Sequence, residues 1–350
     1  MKTIVYKIIL FFACLGYVFL STGCKTNDSV NTPPVSADTS FAKGADVSWV
    51  TQMEANGRKF YNSAGTESEC LTLLKSLGMN SIRLRVWVNP SDGWCNTSDL
   101  LVKAKRAKNL GMRIMIDFHY SDTWADPSHQ TKPAAWTNLS FTDLKTALAN
   151  HTISVLTTLK NNGITPEWVQ VGNETSNGML WDDGKASANM ANYAALTTAG
   201  YYAVKSVFPS TKVIVHLNNG YDNSMYRWIF DGLKANGGKW DVIGLSVYPN
   251  WFTTANDWAN CNTQTLANMK DLVSRYNSEV MVVECGMNWD NPAGCKNFLT
   301  DLIAKVKSVP GNKGKGVFYW EPECNVGWNG YALGAFDNSG KPTVALDAFK

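Results

Sequence analysis

The chain has 350 residues and a mass of 38.6 kDa, so a usual domain size of roughly 150 residues leaves either two domains or one large barrel. Hydrophobic residues make up 45% and charged residues 17%, which is typical of globular proteins and excludes collagen-like, coiled-coil and disordered chains. The formal net charge is only +3 and no basic run stands out, which argues against nucleic acid as a partner. The 14 Trp, 13 Tyr and 14 Phe can stack on flat ligands or fill a core.

Residues 1–23 have the parts of a bacterial export signal. Two lysines occur in the first seven residues, an apolar run of about thirteen residues follows, and small residues precede Cys24. The run is shorter than the roughly 20 residues of a membrane-spanning helix, which favours a secretory signal. The small residues before the cysteine are similar to a lipobox, so Cys24 is predicted to be the lipidated N-terminus. Plain signal cleavage is the alternative.

Residues 24–41 are polar, contain Pro33 and Pro34, and have no apolar periodicity. They predict a flexible tether from the lipid on Cys24 to a domain over residues 42–350. The chain is therefore expected to be an exported lipoprotein of the outer membrane or cell surface, bound to the membrane by that lipid.

An exported chain can form disulfides. When Cys14 and Cys24 are set aside, six cysteines remain, and no C-x-x-C spacing indicates a zinc or redox site. Two or three structural disulfides are predicted. Proximity in sequence favours Cys70 with Cys95 as one of them.

From residue 42 onward, short apolar segments alternate with segments of helical periodicity. The predicted strands are 44–49, 81–87, 113–118, 168–172, 212–217, 242–247, 280–284 and 316–320. The predicted helices include 67–77, 99–110, 144–161, 188–207, 265–276 and 296–306. Eight strand and helix units favour an α/β fold of the (β/α)8 TIM-barrel type as a single catalytic domain. No glycine-rich phosphate motif follows the first strand, which argues against a dinucleotide-binding fold.

The second predicted strand places Arg83, Arg85 and Trp87 on one face and apolar residues on the other. Because the apolar face must meet the helices, the arginines are expected to point into the barrel. A buried arginine requires a partner, so a carboxylate is expected nearby.

Two further strands deliver glutamates to the C-terminal rim, where barrel enzymes build their active sites. The fourth ends with Asn173 and Glu174, and the seventh ends with Glu284. Glycosidic hydrolysis requires one protonated carboxyl for the leaving oxygen and one ionised carboxylate at the anomeric carbon. The two glutamates fit this requirement. The alternative is that they only cap helices or pair with the arginines.

Other rim residues suit a sugar site. The third strand places Asp117 and His119 on one face, and tryptophans in the following loops offer stacking surfaces. The candidates at the ends of strands five, six and eight are Asn218, Tyr248 and Trp320, and those in the loops are Trp124, Trp136, Trp181 and Trp251.

These motifs together resemble glycoside hydrolase family 53, the arabinogalactan endo-β-1,4-galactanases. The resemblance rests on the segments 80–90, 117–127 with Gln130 and Trp136, 172–174, 283–284 and 319–322, and it covers nearly all of residues 44–350. It implies a retaining barrel hydrolase with Glu174 as acid/base and Glu284 as nucleophile. It also implies a central subsite that is lined by Arg83, His119, Asn173, Tyr248 and Trp320. Neighbouring sugars would contact Asp122, Trp124 and Asn218.

The resemblance also bears on the loops after strands seven and eight. Some bacterial members are expected to hold calcium there, whereas fungal members are similar in having a disulfide nearby. Here the region contains Asp290, Cys295 and Cys324. A disulfide is the preferred prediction, a structural calcium stays open, and no cofactor is required. The segment 285–289 departs from the family pattern, which leaves the subsites of this loop undefined.

The resulting hypothesis is an endo-acting, retaining glycoside hydrolase that cleaves β-1,4-galactosidic linkages in pectic galactan or arabinogalactan and acts on galacto-oligosaccharides as a monomer. A mannanase or xylanase of the same barrel type is the alternative enzyme. A surface glycan-binding lipoprotein without catalysis is the alternative from another class.

Overall fold

Eight parallel strands close into a barrel within residues 40–350, the part of the chain that the computed structural model describes. Each strand pairs with the next along the chain, and the last pairs with the first. The strands are β1 (Ala42–Asp46), β2 (Ser81–Val86), β3 (Arg113–Phe118), β4 (Trp168–Val171), β5 (Lys212–Leu217), β6 (Val242–Val247), β7 (Glu279–Cys285) and β8 (Gly314–Trp320). The predicted (β/α)8 barrel is confirmed. The predicted signal and nearly all of the tether lie outside the described residues.

Helices surround the barrel and connect its strands. They are α1 (Val50–Ala55), α2 (Cys70–Ser76), α3 (Thr97–Asn109), α4 (Phe141–Asn161), α5 (Met190–Val207), α6 (Asn223–Ala235), α7 (Trp258–Tyr276) and α8 (Pro292–Lys307). Side chains at several helix N-termini accept hydrogen bonds from backbone amides that have no partner within the helix. At the start of α3 the Asn96 side chain accepts from the Asp99 amide, and at the start of α4 the Ser140 side chain accepts from the Asp143 amide. Among the described helices, none is both long and apolar enough to cross a membrane.

The core has two parts that together position polar groups at the C-terminal end of the barrel. Apolar residues of the strands and helices fill the space between them, while a second buried cluster contains Met115, Trp168, Met281 and Phe318. These residues lie on strands and precede the polar strand ends. Because they occupy the barrel interior below the rim, the polar strand ends gather above an apolar floor.

Strand β7 departs from regular pairing near its end. Its register shifts against β8 between Val282 and Cys285, and β6 shifts against β7 between Leu245 and Ser246. Such irregularities re-aim side chains beside active sites. The alternation rule used on the sequence does not anticipate this shift, which places Glu284 at the cavity.

The six described cysteines are all buried free thiols. Neither Cys70 with Cys95 nor Cys295 with Cys324 forms a disulfide. Cys95 instead directs its sulfur toward the Ser48 carbonyl at 3.7 Å, and the Cys295 sulfur lies 3.6 Å from the Tyr319 hydroxyl. The structure therefore corrects the disulfide prediction: these cysteines act as small buried side chains.

Candidate active site

A cleft of about 490 Å³ lies at the C-terminal end of the strands. Two neighbouring cavities share residues with it: one shares Trp124, and the other shares Asp126, Glu174, Tyr248 and Trp251. Both glutamates predicted from the sequence line the central cleft. The three cavities therefore form a row of adjoining spaces centred on the glutamates.

Glu174 lies just beyond β4, where the chain turns sharply. Gly172 has a φ of +89°, and a Cβ there would lie 2.6 Å from the Thr175 methyl group, so only glycine fits. Glu174 itself has a positive φ of 46°. Its Oε1 accepts a hydrogen bond from the Ser246 hydroxyl at 2.6 Å. Backbone strain of this kind concentrates at functional sites, because it fixes a side chain where regular structure would not.

Glu284 lies at the end of β7 and is only 7% exposed. The Tyr248 hydroxyl donates to its Oε1 at 2.8 Å, and the Arg83 Nη1 lies 3.2 Å from its Oε2. Both contacts stabilise an ionised carboxylate. The surroundings of Glu284 therefore differ from those of Glu174, which receives a single hydroxyl.

The two carboxylates approach each other closely. An oxygen of Glu174 and an oxygen of Glu284 lie within 4.8 Å of one another. Burial raises the pKa of Glu174 to about 7, and burial together with the Glu174 charge raises the pKa of Glu284. Two carboxylates this close share a proton near neutral pH. Because Arg83 forms its salt bridge with Glu284, this arrangement favours the proton on Glu174.

Arg83 lies beneath this pair and is 1% exposed. Its guanidinium contacts Asp46 at 2.7 Å and Asp117 at 2.9 Å, and it donates to the Asn173 Oδ1 at 2.9 Å. The expected carboxylate partner of a buried arginine is confirmed. The Arg83 side chain is not among the residues that line the cleft, but it contacts Glu284 and Asn173, which do line it.

His119 and Asn173 both line the cleft and are held from below. His119 accepts the Ala125 amide on Nδ1 at 3.1 Å, so its Nε2–H donates to the Asp117 Oδ2 at 3.0 Å. The Asn173 Nδ2 donates to the Ala125 carbonyl at 2.8 Å. The orientations of both side chains are therefore fixed before any ligand arrives.

The remaining predicted binding residues are distributed over the row of cavities. Tyr248 and Trp320 line the central cleft, Asn218 lines the cavity on the β5 and β6 side, and Asp122 lines the cavity next to β2. Asp122 also accepts the Asn89 and Ala134 amides, both at 2.9 Å, so it braces two loops.

The four loop tryptophans separate into two kinds. Trp124 lines two of the cavities, and Trp251 is 62% exposed and also lines two. Trp136 is buried, and its ring packs against His151 at a centroid distance of 6.0 Å. Trp181 lines none of these cavities and donates to the Asn177 carbonyl at 2.9 Å. Trp136 and Trp181 therefore lie outside this row of cavities, and Trp124 and Trp251 lie within it.

The sequence profile described as glycosyl hydrolase family 53 matches residues 42–293 and 290–349. The chain belongs to this family. An arabinogalactan endo-β-1,4-galactanase from Thermothelomyces thermophilus is 34% identical over 337 residues, which cover 88% of this chain and 98% of that protein.

Solved structures are similar to the barrel as well. One from a study of two fungal β-1,4-galactanases has a TM-score of 0.80 and 33% identity, and the match covers 89% of this chain and 99% of that one. An exo-β-1,4-mannosidase from Opitutaceae bacterium strain TAV5 has a TM-score of 0.64 at 16% identity, covering 89% of this chain and 58% of that one, and this likeness shows the fold alone.

Several polar residues of this family 53 hydrolase were not selected as site residues from the sequence. Gln170 accepts from the Arg83 Nε at 2.8 Å and donates to Asp117 at 3.0 Å, and Ser246 contacts Glu174 directly. Asp46 holds Arg83 from β1. Each lies within a predicted strand, so a search for polar residues on the inward face of every strand would find them.

One group of three side chains within the described residues has ligand atoms close enough for a metal ion: Glu174, His216 and Glu284. Both ring nitrogens of His216 already contact protein groups, with Ser246 at 2.8 Å and Gln170 at 3.0 Å. This group is therefore part of the hydrogen-bond network of the site. Asp290 does not belong to it, and a structural calcium near this residue stays a prediction.

Proposed function

We propose that this chain hydrolyses internal β-1,4-galactosidic linkages of galactan with retention of configuration. The observation that carries the proposal is the pair Glu174 and Glu284, with oxygens within 4.8 Å and unlike surroundings. Retaining enzymes hold their carboxyl groups about 5–5.5 Å apart, whereas inverting enzymes need roughly 6.5–9.5 Å to admit water. The relatives named galactanases support galactan as the substrate class.

In the first step, the Glu284 carboxylate attacks the anomeric carbon while Glu174 gives its proton to the departing glycosidic oxygen. The bond between the anomeric carbon and that oxygen breaks, and a galactosyl ester forms on Glu284. Arg83 and Tyr248 keep Glu284 ionised and oriented for attack. No cofactor takes part in this proposed step.

In the second step, Glu174 is ionised and takes a proton from water, whose oxygen attacks the anomeric carbon and releases Glu284. Two inversions give overall retention. A pKa of about 7 for Glu174 suits both roles, because the carboxyl must first donate and then accept a proton near neutral pH. His119, Asn173, Tyr248 and Trp320 would line the central subsite, and Asp122, Trp124 and Asn218 would contact neighbouring sugars.

Substrate class and stereochemistry test the proposal directly. Reducing-sugar release from galactan, mannan and xylan should be greatest for galactan, with internal cuts producing oligosaccharides early. NMR of the first products should show the β-anomer. Preferred hydrolysis of mannan or xylan, or an initial α-anomer, would overturn the proposed substrate or mechanism.

The nucleophile has a matched control on the same strand. Glu284→Gln should abolish turnover but leave binding of galacto-oligosaccharides measurable by calorimetry. Glu279→Gln changes a glutamate at the other end of β7, whose Oε1 lies 3.4 Å from the Lys315 Nζ, and should leave turnover unchanged. Turnover that survives in Glu284→Gln would show that another group attacks. Absent turnover in the unsubstituted chain, with binding retained, would favour a glycan-binding protein.

We also propose that the chain is exported and anchored by a lipid on Cys24, and that its catalytic domain is monomeric. Support for the anchor comes from residues 1–24 of the sequence. Incorporation of labelled palmitate should occur in the full chain and be lost in Cys24→Ala. Equal labelling of both would overturn the anchor, and a dimer mass in light scattering would overturn the monomer.

A further inference from the structure

A chain of hydrogen bonds runs from β5 through β6 to Glu174. The His216 Nε2 lies 2.8 Å from the Ser246 Oγ, and that hydroxyl lies 2.6 Å from the Glu174 Oε1. His216 and Ser246 are both almost fully buried. Since buried polar groups of this kind require defined partners, the direction of each hydrogen bond can be worked out from its neighbours.

The neighbours of His216 fix where its proton lies. Gln170 accepts from Arg83 and donates to Asp117, so its amide nitrogen is a donor, and it lies 3.0 Å from the His216 Nδ1. The backbone amide of Glu174 also points at this nitrogen at 3.4 Å. The Asn173 Oδ1 also lies 3.1 Å from Nδ1, but it already accepts from the Arg83 Nη2. A proton on Nδ1 would leave the N–H groups of Gln170 and Glu174 without an acceptor there, so Nδ1 is the acceptor. The proton is therefore on Nε2 and is donated to Ser246.

The Ser246 hydroxyl then acts as the hydrogen-bond donor to Glu174. Because its oxygen accepts from His216, its hydrogen is free to be donated to the Glu174 Oε1. No group among the described residues forms a hydrogen bond with the Glu174 Oε2. The two oxygens of this carboxyl are therefore unequal: one is held by the protein, and the other is available to a ligand in the cleft.

We infer that Ser246 and His216 are positioning residues that keep Oε1 as the acceptor and leave Oε2 to carry the proton for the departing sugar. The inference rests on the proposed role of Glu174 as acid/base. The relay also stabilises ionised Glu174, because a hydroxyl that donates to a carboxylate favours its charged form. Loss of the Ser246 hydroxyl should thus free the carboxyl to rotate and make its ionisation harder.

Several charged and titratable groups surround Glu174 and influence its pKa. Burial keeps His216 neutral, since it holds the pKa of this histidine well below its ordinary value, so His216 itself adds no charge change. The charged or titratable groups around Glu174 from the other elements are Arg83, Asp117, Asp126, Tyr226, Tyr248 and Glu284. A substitution at Ser246 leaves all of these in place.

The test compares Ser246→Ala with Ser246→Thr, which retains the hydroxyl. The substrates are two aryl β-galactobiosides, one with a dinitrophenyl group that leaves without protonation and one with a methoxyphenyl group that needs it. Ser246→Ala should lower the rate of glycosyl-enzyme formation by roughly 10- to 100-fold for methoxyphenyl only. The alkaline limb of its kcat/KM profile should move to higher pH, because activity needs protonated Glu174. Ser246→Thr should restore both properties.

The outcomes separate this inference from the proposed function. Equal rate losses for both substrates and an unmoved alkaline limb in Ser246→Ala would overturn the relay. Glu174→Gln tests the acid/base role itself: if it keeps full activity on methoxyphenyl galactobioside, the proposed function fails. Should the variants not fold, nitrogen NMR of the unsubstituted enzyme gives an independent answer. A protonated Nε2 on His216 is expected, and a protonated Nδ1 would overturn the inference.

Discussion

Arg83 and Arg85 lie two residues apart on the inward face of β2, yet their surroundings have little in common. The Arg83 cluster consists of Arg83 with Asp46, Asp117 and Glu284, and three acidic groups there surround one cation. The Arg85 cluster consists of Arg85 with Glu321 and three tryptophans. Glu321 is its one salt-bridge partner among the described residues, at 2.7 Å.

The Arg85 guanidinium is held mainly by aromatic rings. Its central carbon lies 4.3 Å from the ring centroid of Trp124, 5.1 Å from that of Trp49 and 5.3 Å from that of Trp87. Its Nε and Nη2 have no hydrogen-bond acceptor among the described residues. Cation–π contacts of this kind favour the charge when water is excluded.

The comparison shows how one residue type on one strand can support two different functions. In the Arg83 cluster the cation contacts Glu284, the proposed nucleophile, and favours its ionised form. In the Arg85 cluster it stiffens a wall of tryptophans that lines the neighbouring cavity. Changes in the Arg83 cluster should therefore alter the rate of hydrolysis, whereas changes in the Arg85 cluster should alter the affinity for substrate.

The largest effect is expected for Arg83→Met. The change leaves Asp46, Asp117 and Glu284 without their shared cation, so kcat/KM on galactan should fall by about 1,000-fold or more. Removing one partner of a buried ion pair should also lower the free energy of unfolding by roughly 3–5 kcal/mol. Initial rates and urea unfolding measure the two effects. A folded variant with nearly unchanged kcat would contradict the assigned role of the Arg83 cluster.

Tyr248→Phe should have an intermediate effect that is specific to Glu284. It removes the hydroxyl that donates to Oε1 at 2.8 Å, so kcat should fall roughly 10- to 100-fold. That hydroxyl favours ionised Glu284, and its loss should raise the pKa of this carboxyl. Since attack requires the ionised form, the acid limb of the kcat/KM profile should move to higher pH. A shift of the alkaline limb instead would place the hydroxyl's influence on Glu174.

Most of the architecture followed from periodicity. The strand boundaries predicted for β3, β5 and β6 coincide with those observed, because each is a short, largely apolar segment between segments of helical periodicity. Helix α6 was not assigned, although Asp222 caps its start and accepts from the Met225 amide at 3.1 Å. The helix contains Gly232, which interrupts the apolar periodicity and lies against the Met190 side chain.

The sequence predicted many of the residues that form the site, but not how their side chains are positioned. Glu174, Glu284 and Tyr248 were found because polar residues at strand ends are conspicuous against apolar strands. The register shift in β7 that aims Glu284, and the depth of Arg83 below the cleft, depend on pairing between strands distant in sequence. The same holds for the disulfides, since sequence proximity of two cysteines does not establish that their sulfurs meet.

The smallest effect is expected for Arg85→Lys, and it is the one that separates the two clusters most sharply. Lysine can keep the charge beside Glu321 but cannot stack its head group as guanidinium does on Trp124. KM for long galacto-oligosaccharides should therefore rise several-fold, in line with the roughly 1 kcal/mol of such a contact, while kcat stays close to its original value. Short substrates that do not reach this cavity should show no change. A fall in kcat as large as that of Arg83→Met, with either substrate length, would show that the two arginines share one function after all.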